Sequence, residues 1–421
     1  MKQLIKGLFS QILLLIVLTL LFSTSCSEQK TAGDVRFIDV AGSVGSGRVV
    51  NLSEIAGEIQ YIPLETTDES ILGLPNQRIL FEEGTLYFIQ RYGEIKIFDD
   101  KGHFLKVFNR YGRGPQEYES SGNLQIDNKS DKMCINSFNK IVEYKRDGQF
   151  VRYIESAGKS DLEGYSYSSS LKLDDNLYIL RSSARFATDS GYSAVAIDST
   201  SKVILKIKYP EEEKEFVKKM SRLYAFADPY TFKFKDRVRI VNGNSEFILG
   251  VDKNLNVDTS YILNYGKYNI RSTSLGMRSD GNMPFVHRFA TIFESDNYLF
   301  MKFHLGSLAH KPRVMLKGGE VGADGKTYSD PISCSLFNKK TGEFTLVDQP
   351  EFDQLGFVDD LEGGPAIWPL YISEDGYMVS CITAMDLIAH AAKAKVSEKL
   401  RKIAENLKET DNPVLVMVKL K

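Results

Sequence analysis

The chain has 421 residues, of which 43% are hydrophobic, 11% aromatic and 26% charged. This composition is typical of a folded globular protein, and it excludes disordered, collagen-like and small disulfide-rich classes. The 53 lysine and arginine residues nearly balance the 55 aspartate and glutamate residues, for a formal net charge of −2. The charge balance therefore gives no indication of a nucleic-acid partner.

The first 25 residues have the pattern of a secretion signal. Lys2 and Lys6 precede an apolar run over residues 8–22, which is shorter than the roughly 20 residues of a membrane-spanning helix. Small residues then lead to Cys26, as a lipoprotein signal peptidase requires, although Ser23 stands where the strict motif has leucine. We expect a lipid on Cys26 that anchors the protein to the outer membrane, facing the periplasm or the cell surface. Plain secretion and an uncleaved anchor are the alternatives.

The segment after Cys26 is rich in glycine, serine, lysine and aspartate up to Asn51 and has no sustained apolar period. Its G-S-V-G-S-G run from Gly42 has the glycine content of a phosphate-binding loop. However, no strand-to-helix context follows, and the lysine of such a loop is missing. We therefore interpret residues 26–57 as a tether that carries at most one loose strand.

Short strands in groups of four repeat along the rest of the chain. In the clearest unit, residues 76–108, four short strands are joined by glycine turns, which predicts an antiparallel meander. Five further units follow, and the second strands of the six units begin near Leu86, Met133, Leu177, Val238, Tyr298 and Tyr377. Four-strand repeats of this length are typical of propeller blades, so we predict an all-β fold, a six-bladed β-propeller.

The sixth unit is interrupted by a helical pattern. Apolar residues recur at three-and-four spacing over about 384–408, which predicts a helical insert before the last strand, residues 412–421. One apolar strand, residues 58–64, is left over before the first unit. We expect it to complete the sixth blade, so that the two ends of the chain close the ring and leave no exposed sheet edge.

Three cysteines remain besides Cys26: Cys134, Cys334 and Cys381. They form no C-x-x-C pair and have no neighbouring histidine, which argues against a zinc site. Each lies in an apolar, strand-like run, where a free cysteine behaves as a small hydrophobic residue. We expect buried thiols rather than one disulfide and one unpaired cysteine.

Four motifs give the chain a resemblance to a known family. They are Y-I-P-L-E-T-T from Tyr61, R-Y-G-R-G-P-Q-E-Y from Arg110, G-G-P-A-I-W-P from Gly363 and the closing N-P-V-L-V-M-V-K-L-K. With these motifs, residues 58–421 resemble the six-bladed β-propeller lipoproteins of Bacteroidetes, a family that carries a domain-of-unknown-function label. Gln116 stands where that family commonly has glycine. The resemblance implies the fold and hardly any function.

Candidate ligand-binding residues follow from propeller geometry. The link from the outermost strand of one blade to the innermost strand of the next crosses one face towards the central channel, so these links collect at one mouth. They contribute Arg78, Arg113, Glu117, Tyr118, Tyr167, Asp228, Tyr230, His287, Arg288 and Trp368. Aromatic, arginine and carboxylate side chains at a concave mouth suit a glycan or a peptide. For Tyr118 and Trp368, each of which follows a Gly-Pro turn, packing between blades is the alternative.

Motifs for catalysis and metal binding are few. The sequence has no G-x-S-x-G elbow, H-E-x-x-H helix or EF-hand loop. The spacing of His304 and His310 favours a surface pair over a metal site. Asp359, Asp360 and Glu362 lie beside two glycines and favour a solvated loop over a calcium site. We expect no cofactor.

These observations favour a monomeric, lipid-anchored protein of the cell envelope. We expect it to act as a binding or scaffold propeller for a glycan, a peptide or an envelope protein. The alternative is a metal-dependent propeller hydrolase or lyase. A third interpretation is a structural blade stack in an envelope complex, with the helical insert as its docking element.

Overall fold

The computed structural model describes most of the chain after the signal sequence. The described ranges are 35–73, 78–90, 93–120, 123–137, 139–156, 167–219, 229–243, 245–271, 285–305, 308–310, 313–314, 329–330, 332–350 and 354–421. The predicted signal sequence, Cys26 and Asp228 lie outside these ranges. Within them the chain is built mainly of short strands.

Two strands precede the first blade. They are β1 (Arg36–Asp39), which runs into the short helix α1 (Val40–Ser43), and β2 (Ala56–Pro63), which follows a 3-10 turn (Leu52–Glu54).

Blades 1 to 3 are four-stranded antiparallel sheets whose strands follow chain order from the channel outward. Blade 1 contains β3 (Arg78–Glu82), β4 (Thr85–Ile89), β5 (Ile95–Asp99) and β6 (Phe104–Phe108). Blade 2 contains β7 (Asn123–Asp127), β8 (Lys132–Ser137), β9 (Lys140–Lys145) and β10 (Phe150–Glu155). Blade 3 contains β11 (Tyr167–Asp174), β12 (Leu177–Ser182), helix α2 (Ala184–Ser190), β13 (Tyr192–Asp198) and β14 (Val203–Lys208), and helix α3 (Glu211–Lys219) follows it.

Blades 4 to 6 keep this order with additions. Blade 4 contains β15 (Tyr230–Phe234), β16 (Arg237–Val241), β17 (Phe247–Asp252) and β18 (Val257–Asn264), and a 3-10 turn (Gly266–Tyr268) follows it. Blade 5 contains β19 (His287–Glu294), β20 (Tyr298–His304), the short hairpin β21 (Arg313–Val314) and β22 (Ser329–Asp330), then β23 (Ile332–Asn338) and β24 (Phe344–Val347). Blade 6 contains β25 (Tyr371–Ile372), β26 (Tyr377–Ile382) and β27 (Val414–Leu420). The six-bladed prediction is confirmed.

The turn between β3 and β4 shows how the sequence defines a blade. Glu83 and Gly84 both have positive φ, 48° and 72°. Two left-handed residues form the tight hairpin turn whose twist matches the twist of the flanking strands. Glycine adopts this conformation without a steric cost, so the Glu-Gly pair ends one strand and starts the next.

The hydrophobic core is divided among the interfaces between blades. Six clusters of buried apolar side chains each join two neighbouring blades, including the interface between blades 6 and 1. A face of each sheet is therefore buried against the next sheet, as the near-continuous apolar strands require. An apolar contact at every interface, with none left open, is what a closed ring demands.

The two ends of the chain close the ring as predicted. Strand β2 pairs antiparallel with β27, with Ile59 opposite Val418 and Tyr61 opposite Val416. The N-terminal strand is thus the outermost strand of the blade that the C-terminus forms. The backbone groups of β27, which would otherwise lie at an open sheet edge, are paired on both sides.

The structure differs from the predicted tether from Arg36 onward. Residues 36–55, which we call the N-terminal strap, run across blades 4 to 6. Strand β1 pairs parallel with β18 as a fifth strand of blade 4, and isolated bridges join Arg48 to Val347 and Asn51 to Val358. Val40, Val50 and Leu52 are fully buried in this strap. These isolated apolar residues anchor the strap to the blades, although its sequence has no regular apolar period.

The predicted helical insert consists of two helices. Helix α4 (Ala384–Ala391) is capped by Thr383, and helix α5 (Glu398–Asn406) by Ser397. Their buried residues Leu387 and Leu400 join the core between blades 5 and 6. In the described part of the chain, no helix is both long and apolar enough to cross a membrane. The cysteines agree with the prediction, since Cys134, Cys334 and Cys381 are free and the first two are buried.

Candidate functional site

The innermost strands of the blades surround a central channel. Neighbouring inner strands contact one another from β7 through β11, β15, β19 and β25 to β3. Each inner strand begins where the link from the previous blade arrives, so the first residues of these strands lie at one mouth of the channel. The predicted residues Arg78, Tyr167, Tyr230, His287 and Arg288 occupy such positions.

Arg78 and Tyr230 lie at the starts of opposite inner strands. Arg78 begins the inner strand of blade 1 and Tyr230 that of blade 4, and these blades lie opposite each other in a ring of six. The charge of Arg78 acts to lower the pKa of Tyr230, and Tyr230 acts to raise that of Arg78. Both residues begin inner strands, so both lie at the channel.

Arg78 is accessible to solvent but enclosed by protein. Its surface is exposed, yet the surrounding protein desolvates the guanidinium enough to lower its pKa from the ordinary value. A side chain in the wall of a narrow, water-accessible channel has this environment. One amino group of Arg78 donates a hydrogen bond to Oδ1 of Asn123, the first residue of β7, at 3.3 Å.

The charges of two further arginines also act on the pKa of the Tyr230 phenol. Arg181, near the end of β12, donates from Nε to Oγ of Ser169 at 2.9 Å and from Nη1 to the carbonyl oxygen of Pro229. Arg288 is only 4% exposed, and burial lowers its pKa. Both arginines interact electrostatically with Tyr230, as Arg78 does. Burial still raises the pKa of the Tyr230 phenol, despite these three positive charges.

Tyr371 contributes the last side chain, from blade 6. It interacts electrostatically with Arg78, and its hydroxyl donates a hydrogen bond to Oε1 of Glu82. Hydrogen bonds and electrostatic interactions therefore link one polar side chain from each of the six blades, and Arg288 also donates a hydrogen bond to the carbonyl oxygen of Gly243 in blade 4. We call this set the channel cluster: Arg78, Asn123, Arg181, Tyr230, Arg288 and Tyr371.

Glu82 is the last residue of β3, at the opposite end of the strand from Arg78. Its carboxylate also accepts a hydrogen bond from Nδ2 of Asn128 at 2.8 Å. Burial raises the pKa of Glu82 to about 7, although the hydrogen bonds from Tyr371 and Asn128 oppose this shift. Its charge therefore changes near neutral pH.

Tyr167 and His287 also begin inner strands. Tyr167 is half-buried, whereas His287 is buried, opposite His304 in the sheet. Burial lowers the pKa of His287 to about 3, and the positive charges of Arg288 and His304 act in the same direction. His287 is therefore neutral at physiological pH.

The loop over residues 110–118 lies outside the channel, although the sequence predicts three mouth residues there. Lys140 donates a hydrogen bond to the carbonyl oxygen of Gly114, and the N–H of Glu119 donates to Oγ of Ser137, both at 2.7 Å. Ser137 and Lys140 belong to β8 and β9, the second and third strands of blade 2. The loop thus lies at least one strand away from the channel lining.

The three predicted residues of this loop have other roles. Arg113 forms an ion pair with Glu119 at 3.0 Å, and its side chain is 92% exposed. Glu117 accepts a hydrogen bond from the N–H of Gly114 at 2.8 Å and so folds the Gly-Pro turn back on itself. Tyr118 is fully buried in the core between blades 1 and 2. The structure does not bring these residues into the channel cluster.

Trp368 also packs between blades. Its ring stacks on Phe357 with centroids 5.6 Å apart and meets Phe300 of β20 edge-on at 6.1 Å. Only 8% of Trp368 is exposed. For both Trp368 and Tyr118, the structure therefore agrees with the packing alternative.

Sequence reasoning missed Asn123, Arg181 and Tyr371. Asn123 and Tyr371 begin inner strands, and a stricter definition of strand starts would have included them. Arg181 lies on a second strand, where its register opposite Ser169 of β11 brings it to the mouth. No spacing in the sequence indicates this register.

The two candidate metal sites are engaged in other contacts. Asp359 accepts hydrogen bonds from the backbone N–H groups of Leu361, Glu362 and Gly364 and from the Tyr61 hydroxyl. His310 forms a 2.9 Å contact through Nδ1 with Asp348. Over the described ranges, no group of three histidine, cysteine or acidic side chains is arranged to hold a metal ion.

Paired charges lie between the blades rather than in the channel. Between blades 4 and 5, the Glu294 carboxylate accepts two hydrogen bonds from Arg239, at 3.0 and 3.1 Å, and one from Lys339 at 2.8 Å. The Tyr261 hydroxyl donates a further bond at 2.7 Å. We call this group the blade 4–5 cluster. Burial alone would raise the pKa of Glu294, but the two cations lower it below the ordinary value.

A similar group joins blades 2 and 3. Lys172 lies 2.9 Å from the carboxylate of Asp127 and 3.1 Å from that of Glu143. The Tyr178 hydroxyl donates to Glu143 at 2.7 Å. We call it the blade 2–3 cluster. In both clusters a buried carboxylate is satisfied by a cation and a phenol from the neighbouring blade, so both act to hold blades together.

Comparison with known proteins identifies a family. A family model described as Domain of unknown function (DUF4934) matches residues 35–419. A Bacteroides fragilis protein described as exported has a similar structure, with a TM-score of 0.61 and 17% identity over 91% of this chain and 99% of its own. A DUF4221 protein from Bacteroides vulgatus gives a TM-score of 0.46 and 13% identity over 87% of this chain and 97% of its own. None of the curated proteins matches the chain in sequence. The family match confirms the resemblance that the motifs indicate.

Proposed function

The chain belongs to the DUF4934 family, and we propose that it is an exported propeller of the cell envelope that binds a glycan or peptide at the mouth of its channel. Residues 1–26 support export and lipid anchoring through their apolar run and the cysteine that follows it. The similar protein from Bacteroides fragilis, described as exported, supports the same location.

The channel cluster is the observation that carries the binding proposal. Arg78 and Tyr230 begin inner strands of opposite blades, and hydrogen bonds place Asn123 beside Arg78 and Arg181 beside the residue that precedes Tyr230. Such a convergence of a few polar groups in a concavity is typical of ligand sites.

A binding screen with matched variants tests the proposal. The full-length protein, purified in detergent, is applied to glycan and peptide arrays beside Arg78→Ala and Arg113→Ala. Both arginines are exposed, so neither substitution is expected to change the stability by more than about 0.5 kcal/mol. We expect at least one ligand that Arg78→Ala loses and Arg113→Ala retains. If every ligand found binds both variants as it binds the unmodified protein, the channel is not the binding site.

The lipid anchor is tested separately. Cys26→Ser removes the acceptor of the lipid, so we expect the protein to move from the membrane fraction to the soluble fraction. Retention of the variant in the membrane fraction after removal of the apolar signal would contradict lipid anchoring.

A further inference from the structure

We propose that one outer face of blade 4 contacts the lipid bilayer to which Cys26 anchors the chain. This inference rests on the lipid anchor of the proposed function and adds the surface of the propeller that faces the membrane. An exposed row of apolar side chains carries it, together with the short length of chain between this row and Cys26.

Three apolar side chains form the row, one from each of three neighbouring strands. The register of the sheet places Phe37 of β1 opposite Ile262 of β18, and Ile262 opposite Phe247 of β17. Side chains of directly paired residues lie on the same face of a sheet and contact one another. The three side chains therefore form one continuous apolar surface, which we call the blade 4 row.

The blade 4 row is exposed although it is apolar. It lies on the face of the sheet opposite to Ile38 and Leu263, which are buried in the core between blades 4 and 5. Phe37 is 57% exposed and Phe247 is 42% exposed, and Ile262 is half-buried. Large exposed apolar side chains that adjoin one another are typical of a surface that contacts a protein or a membrane.

The length of the chain before β1 favours the membrane over a protein. Phe37 follows Cys26 by 11 positions. A fully extended chain covers at most about 3.6 Å per residue, so a lipid on Cys26 holds Phe37 within about 40 Å of the bilayer. Strand β1 joins blade 4 directly to this anchored segment. A protein partner must diffuse to the row, whereas the bilayer always lies within this distance.

The chemistry of the row fits the interface of a bilayer rather than its hydrocarbon core. In the described part of the chain, β1 is the edge strand of its sheet. The unpaired backbone groups of an edge strand cannot enter hydrocarbon without a large cost in free energy. Aromatic side chains can project from such an edge while the backbone stays hydrated. We therefore expect the rings of Phe37 and Phe247 to lie at the boundary between headgroups and acyl chains.

Quenching by brominated phospholipids tests this contact, because bromine on an acyl chain quenches only a tryptophan that the lipid touches. The protein, purified with its lipid, is reconstituted in vesicles of phosphatidylcholine or of its brominated form. Phe37→Trp and Phe247→Trp place the probe in the row and keep the row aromatic. Tyr111→Trp is the matched control, since Tyr111 is 55% exposed but lies on the link that leaves blade 1, the blade opposite blade 4. The unsubstituted protein gives the contribution of Trp368, the one native tryptophan.

We expect brominated lipid to remove most of the added fluorescence of Phe37→Trp and Phe247→Trp, and little of that of Tyr111→Trp. Loss of fluorescence from none of the three probes, or an equal loss from all three, overturns the inference. If Phe37→Trp does not fold, Phe247→Trp provides the same test.

The outcomes also separate this inference from the proposed function. A protein that does not stay with the vesicles overturns both the lipid anchor and the membrane contact. A protein that stays with the vesicles while the row remains unquenched keeps the anchor and overturns only the contact. Dimers in detergent that Phe37→Ser converts to monomers would assign the row to a second copy of the chain, and so overturn the contact with the bilayer.

Discussion

The blade 4–5 cluster and the channel cluster place arginines in opposite environments. Arg239 in the blade 4–5 cluster is buried, and its guanidinium group is paired with Glu294. This pairing raises the pKa of Arg239, although burial alone would lower it. Arg78 in the channel cluster is accessible to solvent, but desolvation by the surrounding protein lowers its pKa. Exposure alone therefore does not decide whether a charge is stabilised.

The two environments predict two roles: Arg239 stabilises the fold, and Arg78 contributes to ligand binding. A charge that the protein compensates internally contributes to holding the blades, and its removal leaves an uncompensated partner. A polar side chain that lines a channel can instead contact a ligand. The comparison therefore predicts large effects on stability for the clusters between blades, and effects on binding with little change in stability for Arg78.

Opening the ring should have the largest effect. Deletion of residues 58–66 removes β2 and exposes the edge of β27. We expect aggregation or loss of a cooperative unfolding transition, because an unpaired edge strand pairs with other chains. Size-exclusion chromatography and calorimetry measure both results. Deletion of β1 is the control, since β1 adds a strand to blade 4 without closing the ring. A monomeric 58–66 deletion with unchanged melting would contradict ring closure.

Removal of the carboxylate from the blade 4–5 cluster comes next. Glu294→Ala leaves Arg239 and Lys339 buried without their partner, and we expect a loss of about 3–5 kcal/mol in the free energy of unfolding. Asp296→Ala is the matched control, because it breaks the exposed Lys235 pair at the same interface and should cost about 1 kcal/mol or less. Chemical denaturation measures both. Similar losses for the two variants would remove the distinction between buried and exposed pairs.

A substitution of Trp368 tests whether this residue packs between blades or belongs to the ligand site. Trp368→Ala removes a ring packed on Phe357 and Phe300, and we expect a loss of about 3 kcal/mol or more in the free energy of unfolding. Ligand affinity of the folded variant should stay unchanged. An unchanged stability with lost binding would instead place Trp368 in the ligand site.

Glu82 gives the channel a predicted pH dependence. In the unfolded chain a glutamate has a pKa of about 4.3, whereas burial raises that of Glu82 to about 7. Between these values the unfolded state loses its proton first, so the contribution of Glu82 to stability falls as pH rises through this window and is constant above it. The fall is about 3–4 kcal/mol.

The variant Glu82→Gln isolates this effect, because glutamine does not titrate. Denaturation of both proteins from about pH 4 to about pH 8 should show the unmodified protein losing stability relative to the variant over that range. A difference between the two proteins that stays constant with pH would mean that Glu82 keeps an ordinary pKa.

The fold could be predicted from the sequence because its determinants are local. Short apolar strands and glycine turns define each blade, and Glu83 and Gly84 form such a turn in blade 1. The leftover strand at residues 58–64 and the single strand after the helices together indicate ring closure. The N-terminal strap could not be predicted in the same way, since Val40, Val50 and Leu52 are isolated apolar residues in a polar segment.

The site could be predicted only in part, because its members are brought together by the ring and not by sequence spacing. Arg78, Tyr230 and Arg288 begin inner strands and were identifiable. Arg181 reaches the mouth through its register with β11. Tyr371 begins the two-residue strand β25, whose start is hidden in the longer apolar run from Ala366. The 110–118 loop is the opposite case, since it links two blades but folds over blade 2 instead of entering the channel.

The central claim is that the mouth of the channel around Arg78 binds a ligand. A glycan or peptide identified on the arrays is soaked into crystals of the protein, and its position is measured directly. We expect electron density for the ligand at the channel mouth, in contact with Arg78. Density for the ligand confined to the outer surface, with none in the channel, would contradict the claim.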